Sequence, residues 1–203
     1  MISVINYGLG NIGSILRMIE VCGGNAEVVS TGEQILNAKK LVLPGVGHFD
    51  RGMTELKKRG LIVALTQRVI DDKIPILGIC LGMQLFCRNS EEGEENGLGF
   101  VEADVIKFNN EHESDLKIPN MGWNYITVTR ENKLLQDQVK KHRFYFVHSY
   151  YVVPDQDELT IATAFYGHSF CAAFNANNIY GVQFHPEKSH KYGMELMKHF
   201  IQL

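Results

Sequence analysis

Residues 74–86 constrain the fold more than any other stretch. They read Ile-Pro-Ile-Leu-Gly-Ile-Cys-Leu-Gly-Met-Gln-Leu-Phe, an apolar run broken only by one proline, two glycines, one cysteine and one glutamine. Residues 74–79 suit a strand buried on both faces, and residues 81–86 suit the first turns of a helix, so Cys80 falls at their sharp junction. Gly78 and Gly82 flank it at i−2 and i+2. A tight strand-to-helix turn brings two backbones together, and a side chain at either glycine would clash. The free N–H groups of a helix start favour an anion there, and so thiolate over thiol. Cys80 is thus placed as a nucleophile. The competing reading is a small buried core cysteine, a common state of a free thiol.

A base with its orienting acid stands about a hundred residues later, in Gly181-Val182-Gln183-Phe184-His185-Pro186-Glu187-Lys188-Ser189. In an extended segment, residues i and i+2 point the same way, so His185 and Glu187 are expected on one side of the backbone. Pro186 disfavours the helical region for His185 and fixes its own φ, which holds the pair extended. Thiol activation needs a neighbouring imidazole, and a carboxylate fixes the imidazole's tautomer and orientation.

The first half of the chain alternates strand and helix patterns: residues 1–7, 26–30, 40–43 and 74–79 as strands, with helical patterns over 15–22 and 53–71. That order predicts an α/β fold, a doubly wound, flavodoxin-like, mostly parallel sheet with helices on both faces. Residues 90–97 form an acidic loop expected on a solvated surface. Residues 117–124, rich in Pro, Gly and Asn, read as a loop that carries the lone tryptophan, Trp123. Residues 100–108, 125–129, 143–147, 160–166, 169–175 and 179–184 read as short strands, and 192–201 as a closing amphipathic helix. Connections so short hold no crossover helices, which makes the second half an antiparallel extension of the sheet.

Glycines 8, 10 and 13 spell G-x-G-x-x-G after the first strand, so a dinucleotide site competes with a plain tight turn. The acid expected at the end of the second strand is missing, since that strand ends in Ser30-Thr31. At 203 residues the chain suits a single domain, 1–203, burying roughly 70% of its unfolded surface. A net charge of −3 with 21% charged residues recruits neither nucleic acid nor an anionic membrane. Apolar runs are too short to span a bilayer and no signal peptide is read, so a cytoplasmic setting is expected. Cys22, Cys80, Cys87 and Cys171 show no C-x-x-C spacing, which indicates neither a disulfide framework nor a metal site.

The G-x-C-x-G elbow and the His185-Pro186-Glu187 segment resemble the triad (class I) glutamine amidotransferases. Within that family, Asn6-Tyr7-Gly8-Leu9-Gly10-Asn11, Pro44-Gly45-Val46-Gly47, Met121-Gly122-Trp123-Asn124, the run from Phe144 to Tyr151 and His185-Pro186-Glu187-Lys188-Ser189 are similar to the glutaminase subunits of imidazole glycerol phosphate synthase. The likeness covers essentially the whole chain. It implies a Cys80–His185–Glu187 triad, oxyanion-hole amides at Val46, Gly47 and Leu81, and glutamine contacts at Gln84, Ser149 and Tyr150. It implies no cofactor, a (β/α)8-barrel cyclase as heterodimeric partner, and ammonia delivery for imidazole glycerol phosphate and AICAR synthesis in histidine biosynthesis. Asn11, Trp123, Asn124 and Lys188 are the residues it offers for partner contact and gating. The family more often carries His where this chain has Asn120. Other readings stand beside it: a paralogous amidotransferase feeding another synthase, such as one forming a sugar amidine; a stand-alone γ-glutamyl cysteine hydrolase; and a nucleotide-binding module.

Overall fold

In the computed structural model, which describes residues 1–109, 117–136 and 141–203, the first half runs β1 (Ile2–Ile5), α1 (Ile12–Val21), β2 (Ala26–Val29), α2 (Gly32–Leu36), β3 (Leu41–Gly45), α3 (Phe49–Lys58), α4 (Ile62–Thr66), β4 (Ile76–Cys80) and α5 (Leu81–Gln84). The second half adds β5 (Ala103–Lys107), β6 (Asn120–Val128), β7 (His142–His148), β8 (Tyr150–Pro154), β9 (Thr160–Tyr166), β10 (His168–Ala176), β11 (Ile179–Val182) and α6 (His190–Gln202).

One mixed sheet joins both halves, in the order β2-β1-β3-β4-β11-β10-β9-β6-β7, with β8 against β10 and β5. The pairs β1/β2, β1/β3, β3/β4 and β4/β11 are parallel, and the remaining pairs are antiparallel. The parallel segment follows the flavodoxin-like order expected from the alternation. Strand β4 lies inside it, between β3 and β11, with all five residues buried, which is why it reads as an unbroken apolar run rather than an alternating one.

Alternation still decides which face each side chain covers. Ile5, Leu41, Leu43 and Ile76 join the core on one face, under Ile35 of α2, Phe49, Met53 and Leu56 of α3, and Ala64 and Leu65 of α4. Ile2, Val4, Val42, Leu77 and Ile79 turn to the other face, under Ile15 and Ile19 of α1 and Leu196, Met197 and Phe200 of α6. Fully burying each such Leu, Ile or Phe contributes about 1.5–3 kcal/mol, so β1, β3 and β4 are anchored on both faces.

Several expectations need correction. The alternation gives no helix between 26–30 and 40–43, yet α2 forms there because Thr31 and Gln34 make a reciprocal capping box, and its five residues are too few to show an apolar period. The helix expected over 53–71 is α3, α4 and a π turn over Gln67–Asp71, broken at Gly60, whose φ of 65° ends the first piece. The loop expected over 117–124 becomes strand from Asn120 onward. Residues 120–124 pair with β7 alone, whereas β9 pairs only with residues 126–128, so this stretch tolerates Gly122 and exposed side chains. Strand β8 falls between the strands expected at 143–147 and 160–166, where none is expected.

Candidate active site

Register along β4 gathers the site. Gly45, the last residue of β3, pairs with Cys80, the last of β4, and Val182 at the end of β11 pairs with Ile79. The peptides that leave three neighbouring parallel strands therefore meet at one edge, the carboxyl edge where open α/β sheets bind ligands.

Cys80 has φ 54° and ψ −112°, a left-handed conformation that a non-glycine residue adopts only under constraint. The constraint is visible at its neighbours. A Cβ on Gly82 would stand 1.9 Å from the Leu43 carbonyl oxygen, and one on Gly78 would stand 2.7 Å from the Gly82 oxygen and the Met83 nitrogen. The elbow forms because both positions lack a side chain. Regular helix beyond it covers Leu81–Gln84 only, shorter than the stretch to Phe86 expected from the pattern, so no long helix dipole bears on Cys80.

His185 is buried to 1% exposure and its Nδ1–H donates to Glu187 Oε1 at 2.8 Å. That bond fixes the tautomer and aims Nε2, which has no hydrogen-bond partner, into the site. The geometry differs from the extended pair expected: His185 is extended, but Pro186–Lys188 forms a 3₁₀ turn. Pro186 starts that turn instead of prolonging the strand, as proline's fixed φ allows, and the turn swings Glu187 back under the imidazole. The His185 backbone is clamped as well. Its N–H donates to the Tyr145 carbonyl at 2.9 Å, Ser189 Oγ donates to the His185 carbonyl at 2.6 Å, and the Tyr145 N–H donates to Ser189 Oγ at 3.0 Å.

Burial alone would push the His185 pKa down, but the Cys80 sulfur and the Glu187 carboxylate outweigh it and lift the imidazole to about 10. At neutral pH the ring therefore carries its proton, the state needed to protonate a leaving group. Tyr7 is fully buried behind the elbow; burial first, then the Cys80 charge, raises its pKa, and its hydroxyl donates to the Pro44 carbonyl at 2.8 Å.

A cavity of about 170 Å³ opens on Cys80 and His185 and is lined also by Val46, Gly47, Leu81, Gln84, Ser149 and Tyr150. All six residues assigned by resemblance to the oxyanion hole or to glutamine contact thus share one cavity with the cysteine and histidine. Gln84 Nε2 donates to the Tyr150 carbonyl at 3.1 Å and to Gln183 Oε1 at 3.0 Å, leaving its own carbonyl as the group it can present.

The residues read as gating candidates separate. Trp123 packs edge-on against Tyr145 with ring centroids 6.3 Å apart, and Lys188 Nζ lies 5.6 Å from the same ring. Both therefore touch the residue whose carbonyl holds His185. Asn124 is turned away, its Nδ2 donating to the Phe165 carbonyl at 2.8 Å. Asn11 stands exposed at the N-cap of α1 with no side-chain capping bond. The glycines of the G-x-G-x-x-G pattern serve the turn: Gly8 and Gly10 have φ of 93° and 102°, and a Cβ on Gly10 would stand 2.9 Å from Pro44.

Sequence reasoning missed Gln183, His148, Val147 and Glu92. Gln183 is fully buried and its Nε2 donates to Cys80 Sγ at 3.7 Å; it precedes His185 by two, so strand alternation was the available signal. His148 is buried beside the cavity, its Nδ1–H donating to the Tyr150 carbonyl at 2.7 Å and its Nε2 accepting from Asn120 Nδ2 at 3.1 Å. Burial pushes its pKa down to about 4, so the ring is neutral. Glu92 belongs to the loop read as plain solvated surface, yet it lines the cavity and its Oε2 accepts the Phe49 N–H at 2.8 Å. The start of α3 pins that loop, since Asp50 also accepts the N–H groups of Glu94 and Glu95. Among the described residues no cluster of His, Cys, Asp or Glu is arranged to hold a metal, and no helix is long and apolar enough to cross a membrane.

A strained cysteine at a strand–helix elbow, facing a histidine held by glutamate on a doubly wound sheet, is the arrangement of a triad amidotransferase. The family profile described as "Glutamine amidotransferase class-I" matches residues 3–203, and the chain belongs to that family. Two solved structures share the fold: one titled "Crystal structure of glutamine amidotransferase" (TM-score 0.71, 18% identity, 96% of this chain and 98% of the other) and PurLQS from Thermotoga maritima (TM-score 0.69, 18% identity, 99% and 95%). Among sequence relatives, "Imidazole glycerol phosphate synthase subunit HisH 2" of Methanococcus maripaludis is 50% identical over 100% of this chain and 99% of its own length. The subunit of the same name from Pseudomonas aeruginosa is 46% identical over 100% of both chains. Within the amidotransferase family, the chain stands with the HisH subunits.

Proposed function

We propose that the chain is the glutaminase half of a two-protein synthase, hydrolysing glutamine at Cys80 and passing the ammonia to a (β/α)8-barrel cyclase that makes imidazole glycerol phosphate and AICAR for histidine biosynthesis. The observation that carries the reading is the convergence of Cys80, His185 and the six resemblance-assigned residues on one cavity, with Glu187 bonded to the far side of the imidazole.

In this reading the Cys80 thiolate adds to the side-chain amide carbon of glutamine. The resulting oxyanion takes backbone N–H bonds from Leu81 and from Val46 or Gly47. His185 gives its Nε2 proton to the departing nitrogen, the C–N bond breaks, and ammonia leaves behind a γ-glutamyl thioester. Water then gives a proton to the now neutral His185 Nε2 as it attacks the thioester, and collapse of the second oxyanion returns the thiolate and releases glutamate. Glu187 holds the ring in place through both steps and makes no bond to substrate. The partner's presence is sensed, in this proposal, where Trp123 and Lys188 meet Tyr145, one hydrogen bond from His185. A cytoplasmic setting accompanies a reaction whose nucleophile must stay a reduced thiol.

The test uses a glutamine-mimicking electrophile with peptide mapping, and a glutamate-release assay. Label on Cys80 and loss of turnover in Cys80→Ala are expected; label on Cys22, Cys87 or Cys171, or substantial turnover in Cys80→Ala, sinks the assignment. A second reading concerns only the ammonia acceptor. Methanococcus maripaludis has two relatives named as HisH subunits, and this chain is 50% identical to the second and 41% to the first. With Asn120 standing where the family more often has His, a paralogue that feeds a different synthase is the alternative, and activation by one purified synthase but not the other separates them.

A further inference from the structure

We propose that Gln183 is a positioning residue for the nucleophile: a relay of side-chain amides that starts at the Tyr150 carbonyl turns the Gln183 N–H toward the Cys80 sulfur and so stabilises the thiolate. The proposal rests on reading Cys80 as the nucleophile and adds how its charge is held.

The polarity of the relay follows from donors and acceptors alone. The Tyr150 carbonyl can only accept, so the amide nitrogen of Gln84 must face it, at 3.1 Å. The second hydrogen on that nitrogen points at Gln183, 3.0 Å away, where an acceptor is required. Gln183 must therefore present Oε1 to Gln84, which leaves Nε2 facing Cys80 Sγ at 3.7 Å. The opposite orientation would set two N–H groups against each other and a carbonyl against the sulfur. Gln183 is fully buried, where a side-chain amide is expected to be hydrogen-bonded. Parallel pairing of Val182 with Ile79 places residue 183 beside residue 80 without any contribution from loops.

Gln183 adds a second donor beside the His185 imidazole, whose pKa the same sulfur helps to raise. The Val147 carbonyl, 3.9 Å from the sulfur, is an acceptor that favours the protonated thiol. The remaining groups around it are the His185–Glu187 pair, the Tyr7 hydroxyl, which is committed to Pro44, the neutral His148 ring, and Glu92 across the cavity. Gln183 does not line the cavity, so its effect falls on the thiolate rather than on glutamine contact.

The test measures the rate of iodoacetamide alkylation at Cys80 against pH in wild type, Gln183→Met, which keeps the length and removes the donor, and Gln183→Glu, which keeps the shape and puts an acceptor against sulfur. The midpoint is expected to rise by about one to two pH units in both, the scale of a hydrogen bond to a charged group. For glutamine, kcat/KM should fall about tenfold or more while KM stays within about threefold. An unchanged midpoint in either folded variant overturns the proposal. A second measurement needs no variant at Gln183: in wild type, one side-chain amide of ¹⁵N-labelled glutamine residues should shift in step with Cys80 ionisation, and that titration should vanish in Cys80→Ala. Absence of any such signal overturns the proposal even if both variants misfold. Alkylation of wild type at another cysteine would instead refute the function on which the inference stands.

Discussion

His148 gives this protein a built-in acid sensitivity whose size follows from its surroundings. The neutral ring donates from Nδ1 to the Tyr150 carbonyl and accepts at Nε2 from the Asn120 amide. Protonation would place an N–H against that amide's own N–H, inside a wall formed by Phe108, Phe146 and Phe170 at centroid distances of 5.3, 5.7 and 5.3 Å. Burial is the main cause of the pKa near 4, and the neighbouring His185 charge adds to it. In the unfolded chain the same group titrates at 6.5. The folded value is the lower one, so below pH 6.5 the unfolded state takes up a proton that the native state refuses, and stability falls as pH drops from 6.5 towards 4. At 1.36 kcal/mol per pH unit, the gap amounts to about 3 kcal/mol. The other shifts act in separate windows. His185 is raised to about 10, so its contribution is complete below 6.5 and is lost as pH rises through 10; Asp50 and Asp155 are depressed from 3.8, and theirs is lost only as pH falls below that value. Urea unfolding of wild type and His148→Gln, stepped from about pH 6.5 to about pH 4.5, isolates the effect, with wild type expected to lose about 2–3 kcal/mol more than the variant over that window. Parallel stability curves, or an imidazole resonance of His148 titrating near its unfolded value, would refute the reasoning.

Three further outcomes are expected. On the proposed mechanism His185→Ala removes both acid and base and should lower turnover by several orders of magnitude, whereas Glu187→Gln should be milder by a factor on the order of a hundred, with glutamine still bound by both; a Glu187→Gln enzyme with wild-type rate would mean that another carboxylate orients the ring. Gly82→Ala drives a Cβ to within 1.9 Å of the Leu43 carbonyl oxygen, a backbone clash that should destabilise the fold by at least about 3 kcal/mol, so an unchanged thermal midpoint would show that the elbow opens without strain. Lys188→Ala removes one of the two side chains resting on Tyr145 and should lower the ratio of partnered to unpartnered glutamine turnover. Full activation of the variant would reject Lys188 as the sensor.

The cysteine elbow and the bonded His185–Glu187 pair were legible because each lies in a short local pattern. Gly78 and Gly82 are demanded by atoms that the turn itself brings near, and Pro186 lies between the base and its acid. Even there, local reasoning misjudged the route: proline's fixed φ suits the first turn of a helix as well as an extended segment, and the turn is what seats Glu187 under His185. The acidic loop was misread for a related cause. Charge along the chain says which residues want water, but Glu92 and Asp50 find backbone N–H groups instead, across about forty residues of sequence.

Gln183 marks the boundary of what a sequence of this kind discloses. Its face of the strand follows from period-two alternation with His185, and its burial follows from an apolar strand, so a buried amide near the nucleophile was deducible in principle. Which end of that amide meets the sulfur was not. The answer passes through Gln84 on another element and is settled at the Tyr150 carbonyl, 33 residues away from Gln183 in sequence and 66 from Gln84. A carbonyl has no side-chain identity, so no residue type anywhere in the chain encodes that polarity. It exists only once β4, α5, the end of β11 and the start of β8 are packed together, and the surroundings of the Cys80 sulfur are in that sense a property of the fold rather than of any motif.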